Sequence, residues 1–140
     1  EEAYLEYFSS ILENLDVFSN FDVYGHLDYV VRYGANRDKD YCYEKYQDIF
    51  DKILIRLLEM ERGIELNTAG LRKGMKDVHP CTGVLKRYKQ LGGEIITIGS
   101  DAHDPSAIAG DFDRAADVLR ECGFSYYTTF ENRIADFHCL

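Results

Sequence analysis

The sequence has 140 residues, the length of about one ordinary domain. With 46% hydrophobic and 29% charged residues, it has enough apolar material for a packed core and lacks the bias of a disordered chain. Asp and Glu outnumber Lys and Arg by 25 to 16, giving a net charge of −9, and this acidity excludes a nonspecific nucleic-acid binder.

The first half of the chain alternates amphipathic helices with a short strand. Apolar residues at three- and four-residue steps predict a helix from about Tyr4 to Leu15. Phe21 to Tyr24 has the pattern of a short strand. A longer helix is predicted over about Glu44 to Arg62, with Gly63 as the residue that ends it. Because the helical pattern starts at Glu1 without an initiator Met, we expect a fragment or a processed product.

The second half continues this alternation. Strands are predicted over Ile64–Asn67, Ile95–Ile98 and Tyr126–Phe130, and helices are predicted to begin near Pro80 and Pro105. The unbroken β-branched run of the middle strand indicates burial on both faces. Short strands separated by helices favour parallel pairing with right-handed crossovers. The sequence therefore predicts an α/β fold of about four α-β units, either an open sheet or part of a barrel that normally takes about eight strands.

Cysteine usage and the absence of targeting segments indicate a cytoplasmic protein. Cys42, Cys81, Cys122 and Cys139 are scattered without a Cys-x-x-Cys pair, which is typical of reduced thiols. The apolar runs are far shorter than the ~20 residues of a membrane helix, and no secretory signal opens the chain. We expect neither a membrane nor a nucleic acid as a partner.

Polar side chains follow three successive predicted strands. These are His26 and Asp28 after the first strand, Asn67 and Arg72 after the second, and Asp101 and His103 after the third. Sites in parallel α/β proteins are built where strands end and the following loops begin. We therefore expect these side chains to share one edge of the sheet.

The segment Gly99 to His103 carries the sharpest local signal. On an extended backbone, Asp101 and His103 point the same way and can reach one cation. Their oxygen and nitrogen donors suit Zn, Fe or Mn. The alternative is that Asp101 caps the helix near Pro105. A cap does not require His103, so the metal interpretation is favoured.

The remaining polar residues each have two interpretations. His26 is either a hydrogen-bonded core histidine or, from its strand-end position, a ligand. Asp28 either orients an imidazole or is a turn residue. Arg72, which lies between two glycines, either forks onto phosphate oxygens or is solvated, and Arg32 has the same two interpretations. The sequence assigns no role to His79.

Three segments resemble a known family. Gly25–Tyr33, Glu65–Arg72 and Ile98–His103 resemble the polymerase-and-histidinol-phosphatase (PHP) superfamily, and most of all its monofunctional histidinol-phosphatases. The similarity runs from about Asp22 to the end of the chain. It implies a distorted seven-stranded β/α barrel with a metal centre of up to three Zn, Fe or Mn ions at the carboxyl ends of the strands. Residues 1–140 would be a single C-terminal portion of such a PHP domain.

Site residues carry over individually. The resemblance implies that His26, Asp101 and His103 are metal ligands, that Asp101 is also catalytic, and that Arg32 and Arg72 bind the substrate phosphate. It also implies an activity, the metal-dependent hydrolysis of histidinol phosphate to histidinol and phosphate in histidine biosynthesis. The alternatives are a PHP-type phosphoesterase acting on another small phosphate ester, and a non-catalytic fragment or interaction domain.

The sequence departs from the family pattern at its front. The family's His-x-His pair, a later His and a bridging Glu have no counterpart before His26. We therefore expect the C-terminal half of such an enzyme, inactive alone. Half a barrel exposes strand edges and apolar faces. Self-association, or pairing with the missing N-terminal half, is the expected consequence.

Overall fold

Three parallel strands form the sheet that positions the candidate site. In the computed structural model, which describes residues 2–140, β1 is Val23–Tyr24, β2 is Gly63–Asn67 and β3 is Ile96–Gly99. Their spatial order is β1-β2-β3, with β2 hydrogen-bonded to both neighbours. Because all three run in the same direction, their carboxyl ends lie at one edge, as predicted.

Helices connect the strands and cover one face of the sheet. The helices are α1 (Glu2–Val17), α2 (Gln47–Glu59), α3 (Ala69–Arg72), α4 (Thr82–Gln90) and α5 (Phe112–Glu121), with 3₁₀ turns at Tyr29–Tyr33, Arg37–Lys39, Tyr43–Tyr46 and Pro105–Ala107. The side chains of Ile64, Leu66 and Ile96 are fully buried in a core that they share with α1, α2, α4 and α5. No helix within residues 2–140 is long and apolar enough to cross a bilayer.

The fourth predicted strand does not join the parallel sheet, so that part of the fold prediction was wrong. β4 (Tyr126–Glu131) instead pairs antiparallel with β5 (Ile134–Cys139), which the sequence analysis missed. The two turn residues, Asn132 and Arg133, both have positive φ, at 51° and 66°. Such a turn matches the twist of a two-residue hairpin. Asn132-Arg133 lacks the glycine that usually marks such a turn.

Two local predictions also differ from the structure. Gly63 is the first residue of β2 and does not end α2, where the left-handed residue is Glu61, with φ of 56°. A Cβ at Gly63 would overlap the side chain of Ile95, so the close approach of the two chain segments there requires glycine. β3 is not buried on both faces, since only Ile96 is fully buried and its other residues are half-buried.

An ion pair between Asp51 of α2 and Arg87 of α4 joins the two helices, and Tyr43 donates a further hydrogen bond to it. The Arg87 guanidinium donates to both carboxylate oxygens of Asp51, at 2.9 and 2.7 Å, and the Tyr43 hydroxyl donates to the same carboxylate at 2.6 Å. The hydrogen bonds from Arg87 lower the pKa of Asp51. Burial, followed by the Asp51 carboxylate, raises the pKa of Tyr43 to about 12. The charged form of Asp51 therefore stabilises the fold.

We predict that Asp51→Asn lowers the free energy of unfolding by about 1 kcal/mol at pH 7. Because the pKa of Asp51 is lowered by folding, its contribution is complete above the ordinary aspartate pKa of about 3.9 and is lost as the pH falls through the folded value. Urea unfolding at pH 7 and pH 3 measures this difference. Glu59→Gln, at an exposed ion pair with Arg56, is the control and should change stability by less than about 0.5 kcal/mol. A loss that is equal at both pH values would contradict the electrostatic assignment.

Candidate functional site at the carboxyl edge of the sheet

The loops that follow β1, β2 and β3 form one polar rim, which we define as residues 25–33, 65–72 and 99–104. Glu65 of β2 lies at its centre. The Glu65 Oε2 atom accepts a hydrogen bond from the backbone N–H of His26 at 3.0 Å and another from Asn67 Nδ2 at 3.1 Å. On the other side, a Cβ at Gly99 would overlap Glu65 Oε1. The Glu65 side chain therefore contacts the ends of both neighbouring strands.

His26 is held on the rim by its backbone and by an aromatic neighbour. Its φ of 27° is unusual for a residue with a side chain, and such strain is common at functional sites. The His26 ring packs against the Tyr29 ring with 4.4 Å between centroids. Its Nδ1 atom is buried and has no hydrogen-bond partner within residues 2–140. A buried imidazole nitrogen without a partner is compatible with a ligand bound there.

Asp101 and His103 lie side by side on the rim, although the backbone there is not extended. Asp101 has φ of 48°, and its Oδ1 atom lies 3.4 Å from His103 Nε2. The His103 side chain is 87% exposed, so it projects from the outer margin of the rim. The helix-cap alternative for Asp101 is wrong, since Asp104 accepts the capping hydrogen bond, from the backbone N–H of Ser106 at 2.9 Å.

Tyr29 packs against residues of the loop after β1 and against the ring of His79. Its pKa is raised, chiefly through its hydrogen-bonding interaction with Tyr33, then by burial and by the negative charge of Asp101. His26 and Asp101 both lie at the carboxyl edge of the sheet, because they follow the parallel strands β1 and β3.

The two predicted phosphate-binding arginines contact different loops of the rim. Arg32 donates to the Tyr29 hydroxyl at 2.7 Å, and its guanidinium lies 5.2 Å from the centroid of that ring. Arg72 reaches across to the loop after β3, where it donates to the backbone carbonyl of Ser100 and, at 3.4 Å, to that of Gly110. Both guanidinium groups are thus part of the rim, one beside His26 and the other beside Asp101.

Asp28 and His79 form a buried pair behind the rim. The Asp28 Oδ1 atom lies 2.6 Å from His79 Nδ1, and its Oδ2 atom accepts from the backbone N–H of Cys81 at 2.7 Å. Both side chains are 1% exposed. The interpretation of Asp28 as a residue that orients an imidazole is confirmed, but the imidazole is that of His79. No local pattern marks His79, because its partner is 51 positions away in the chain.

Asn67, the other polar strand-end residue, has a structural role. It is 1% exposed, and its Oδ1 atom accepts from the backbone N–H of Ala69 at 2.9 Å, at the start of α3.

Within residues 2–140 no three His, Cys, Asp or Glu side chains are grouped as they would be around a metal ion. The predicted ligands have the right donor atoms for zinc but do not complete a site within this chain.

The fold and the rim define a class: a parallel α/β protein with imidazole, carboxylate and guanidinium groups collected at its strand ends. No family model matches the chain. Curated relatives match almost the whole chain. The chain is 34% identical over 137 residues to the probable histidinol-phosphatase of Clostridium acetobutylicum, covering 96% of this chain and 52% of the relative. It is 33% identical over 136 residues to the histidinol-phosphatase of Lactococcus lactis, covering 97% of this chain and 50% of the relative.

A solved structure agrees with these relatives. The crystal structure of histidinol phosphate phosphatase from Lactococcus lactis, complexed with zinc, L-histidinol and phosphate, matches 96% of this chain and 51% of its own, with a TM-score of 0.79 and 30% identity. The chain is thus similar to histidinol-phosphatases along almost its whole length, which confirms the resemblance that the three sequence segments predicted. It spans about half the length of the curated relatives it matches.

We predict that Asp28→Ala lowers the free energy of unfolding by about 3 kcal/mol, because it leaves the buried donors of His79 and Cys81 without an acceptor. Urea unfolding of the two proteins measures the loss. Asp136→Ala, which removes a carboxylate that is 73% exposed, is the control and should cost less than about 0.5 kcal/mol. A loss of similar size in both variants would show that the Asp28 network does not stabilise the rim.

Proposed function

We propose that this chain forms part of the active site of a metal-dependent phosphomonoesterase that hydrolyses histidinol phosphate to histidinol and phosphate. The observation that carries the proposal is that Glu65 contacts both the backbone of His26 and Gly99, two residues before Asp101. Arg32 stacks on the ring that packs against His26, and Arg72 binds the carbonyl of Ser100, the residue before Asp101. Relatives named histidinol-phosphatase support this reaction, and the Lactococcus structure containing zinc, histidinol and phosphate supports the substrate class.

The two arginines would bind the phosphate group. Arg32 is fixed by its hydrogen bond to Tyr29 and its stacking against that ring, which reduces the entropy lost when an anion binds. Arg72 is fixed by backbone carbonyls and Thr68. Two guanidinium groups in fixed positions hold the non-bridging phosphate oxygens and stabilise the charge that develops on them during the reaction.

Asp101 would position the water that attacks phosphorus. Its carboxylate is a proton acceptor on the rim, and its Oδ1 atom lies 3.4 Å from His103 Nε2. His26, Asp101 and His103 would also hold divalent metal, for which their nitrogen and oxygen donors are suited. Bound zinc, iron or manganese would supply positive charge for the phosphoryl oxygens and lower the pKa of a bound water.

The remaining ligands would come from the other half of a longer enzyme. We propose that residues 1–140 are the C-terminal portion of a distorted seven-stranded β/α barrel, in which β1, β2 and β3 are consecutive strands. The protein would work in the cytoplasm, on a small phosphorylated substrate. The net charge of −9 makes bound cations necessary for such a substrate, since the uncompensated protein would repel a phosphate dianion.

We predict that Asp101→Asn in the full-length enzyme lowers kcat for histidinol phosphate by at least about 10³-fold and reduces bound metal, because it removes both a ligand charge and a proton acceptor. Phosphate release and elemental analysis measure the two effects. Asp104→Asn, which removes the charge of a capping residue three positions away and keeps its acceptor oxygen, is the control and should keep both activity and metal. Unchanged turnover in Asp101→Asn would refute the assignment, and wild-type turnover of nucleoside monophosphates in preference to histidinol phosphate would assign a different substrate.

The isolated chain is predicted to self-associate or to bind the missing N-terminal half. It exposes several large apolar side chains, among them Phe18, Ile108, Ile134 and Phe137. β1 and β3 are each hydrogen-bonded to a strand on one side only. Unpaired strand edges and exposed apolar groups favour association in water. Light scattering should detect species larger than a monomer, and elemental analysis should find little metal, whereas a monodisperse, metal-loaded monomer would contradict the proposal.

A further inference from the structure

Glu65 carries a charge that no side chain neutralises in residues 2–140. Its two hydrogen-bond donors, the backbone N–H of His26 and the amide of Asn67, are neutral, and both bind Oε2. None of the ion pairs in this part of the chain includes Glu65. The Oε1 atom accepts no hydrogen bond within the same residues. This oxygen is not among the buried atoms that lack a partner, so it is accessible and can accept hydrogen bonds from a bound cation.

The position of Glu65 places this free oxygen on the functional edge. Glu65 points away from the helix-covered face, because its neighbours Ile64 and Leu66 are the residues buried in the core. Its carboxylate lies against the backbone of Gly99, two residues before Asp101, and next to Gly25, one residue before His26. The absence of a side chain at Gly99 leaves open the space that the carboxylate occupies.

The other carboxylates of the rim and its surroundings already have partners. Asp28 binds His79 and the backbone of Cys81, Asp104 caps a 3₁₀ turn, and Asp111 lies 3.8 Å from Arg72. Asp101 faces His103 and is assigned to metal binding in the proposed function. Glu65 is therefore the acceptor that remains for a positively charged part of the substrate.

We propose that Glu65 binds the ammonium group of the amino-alcohol phosphate substrate and so determines its specificity. The inference rests on the proposed function, in which Arg32 and Arg72 bind the phosphate at the other end of the substrate. An ammonium group has three donors and no acceptor, and it forms its strongest hydrogen bonds with carboxylate oxygens. Glu65 Oε2 is oriented by its two neutral donors, which leaves Oε1 to receive the substrate cation.

The experiment compares two substrates that differ in one group. In the full-length enzyme, kcat/KM is measured for histidinol phosphate and for the same phosphate ester without its amino group. We expect the wild type to prefer the amine by about 30-fold or more, and Glu65→Gln to prefer it by less than about threefold, with the change mainly in KM. Bound metal should be the same in both proteins. Glu65→Asp should restore part of the preference.

Glu61→Gln, an identical change at an exposed residue before the opposite end of β2, is the control and should keep the wild-type preference. The inference is overturned if Glu65→Gln lowers kcat/KM for both substrates equally or loses metal, since Glu65 would then be a structural residue or a metal ligand. It is also overturned if the wild type has the same kcat/KM for both substrates. This test does not depend on the folding of any variant. A wild type that hydrolyses neither substrate would refute the proposed function itself.

Discussion

The carboxylate of Asp28 fixes the geometry on which the rim depends. It is buried, and it binds the segment 79–81 through one side chain and one backbone N–H. The same segment is also tied to β2, since the backbones of His79 and Asn67 exchange hydrogen bonds of 2.7 and 2.9 Å. The loop after β1 and the loop after β2 are thus held by a common support. A buried donor that loses its acceptor destabilises the fold, so a movement that breaks these hydrogen bonds costs free energy of folding.

This support fixes the two loops that carry His26 and Arg72. Asp28 lies two residues beyond His26, and Asn67 begins the segment that carries Arg72. Glu65 of β2 accepts a hydrogen bond from the backbone N–H of His26, and Asp28, two residues further on, binds His79. The backbone at His26 is therefore held at two points. In the proposed function, groups held in place before the substrate arrives favour its binding, because their ordering entropy is already lost.

The sequence predicted the elements with strong periodicity and the edge to which they deliver polar groups. Helices α1, α2, α4 and α5 and the three parallel strands follow from apolar spacing and β-branched runs, and strand direction then places His26 and Asp101 at one edge. The hairpin of β4 and β5 was missed because its turn contains no glycine. Contacts between distant residues, such as Asp28 with His79, leave no local signal. Glu65 did leave one, since it is a charged residue flanked by Ile64 and Leu66 within a strand.

His26 and Asp101 both adopt left-handed backbone conformations that cost L-residues free energy, of order 1 kcal/mol or more each. Glycine would adopt either conformation more easily, although it would also lose the functional side chain. Selection for thermal stability alone would therefore tend to replace these residues, whereas selection for activity would retain them. In the proposed function both side chains belong to the metal site, so variants of the full-length enzyme that gain stability by substitution at these two positions should lose turnover.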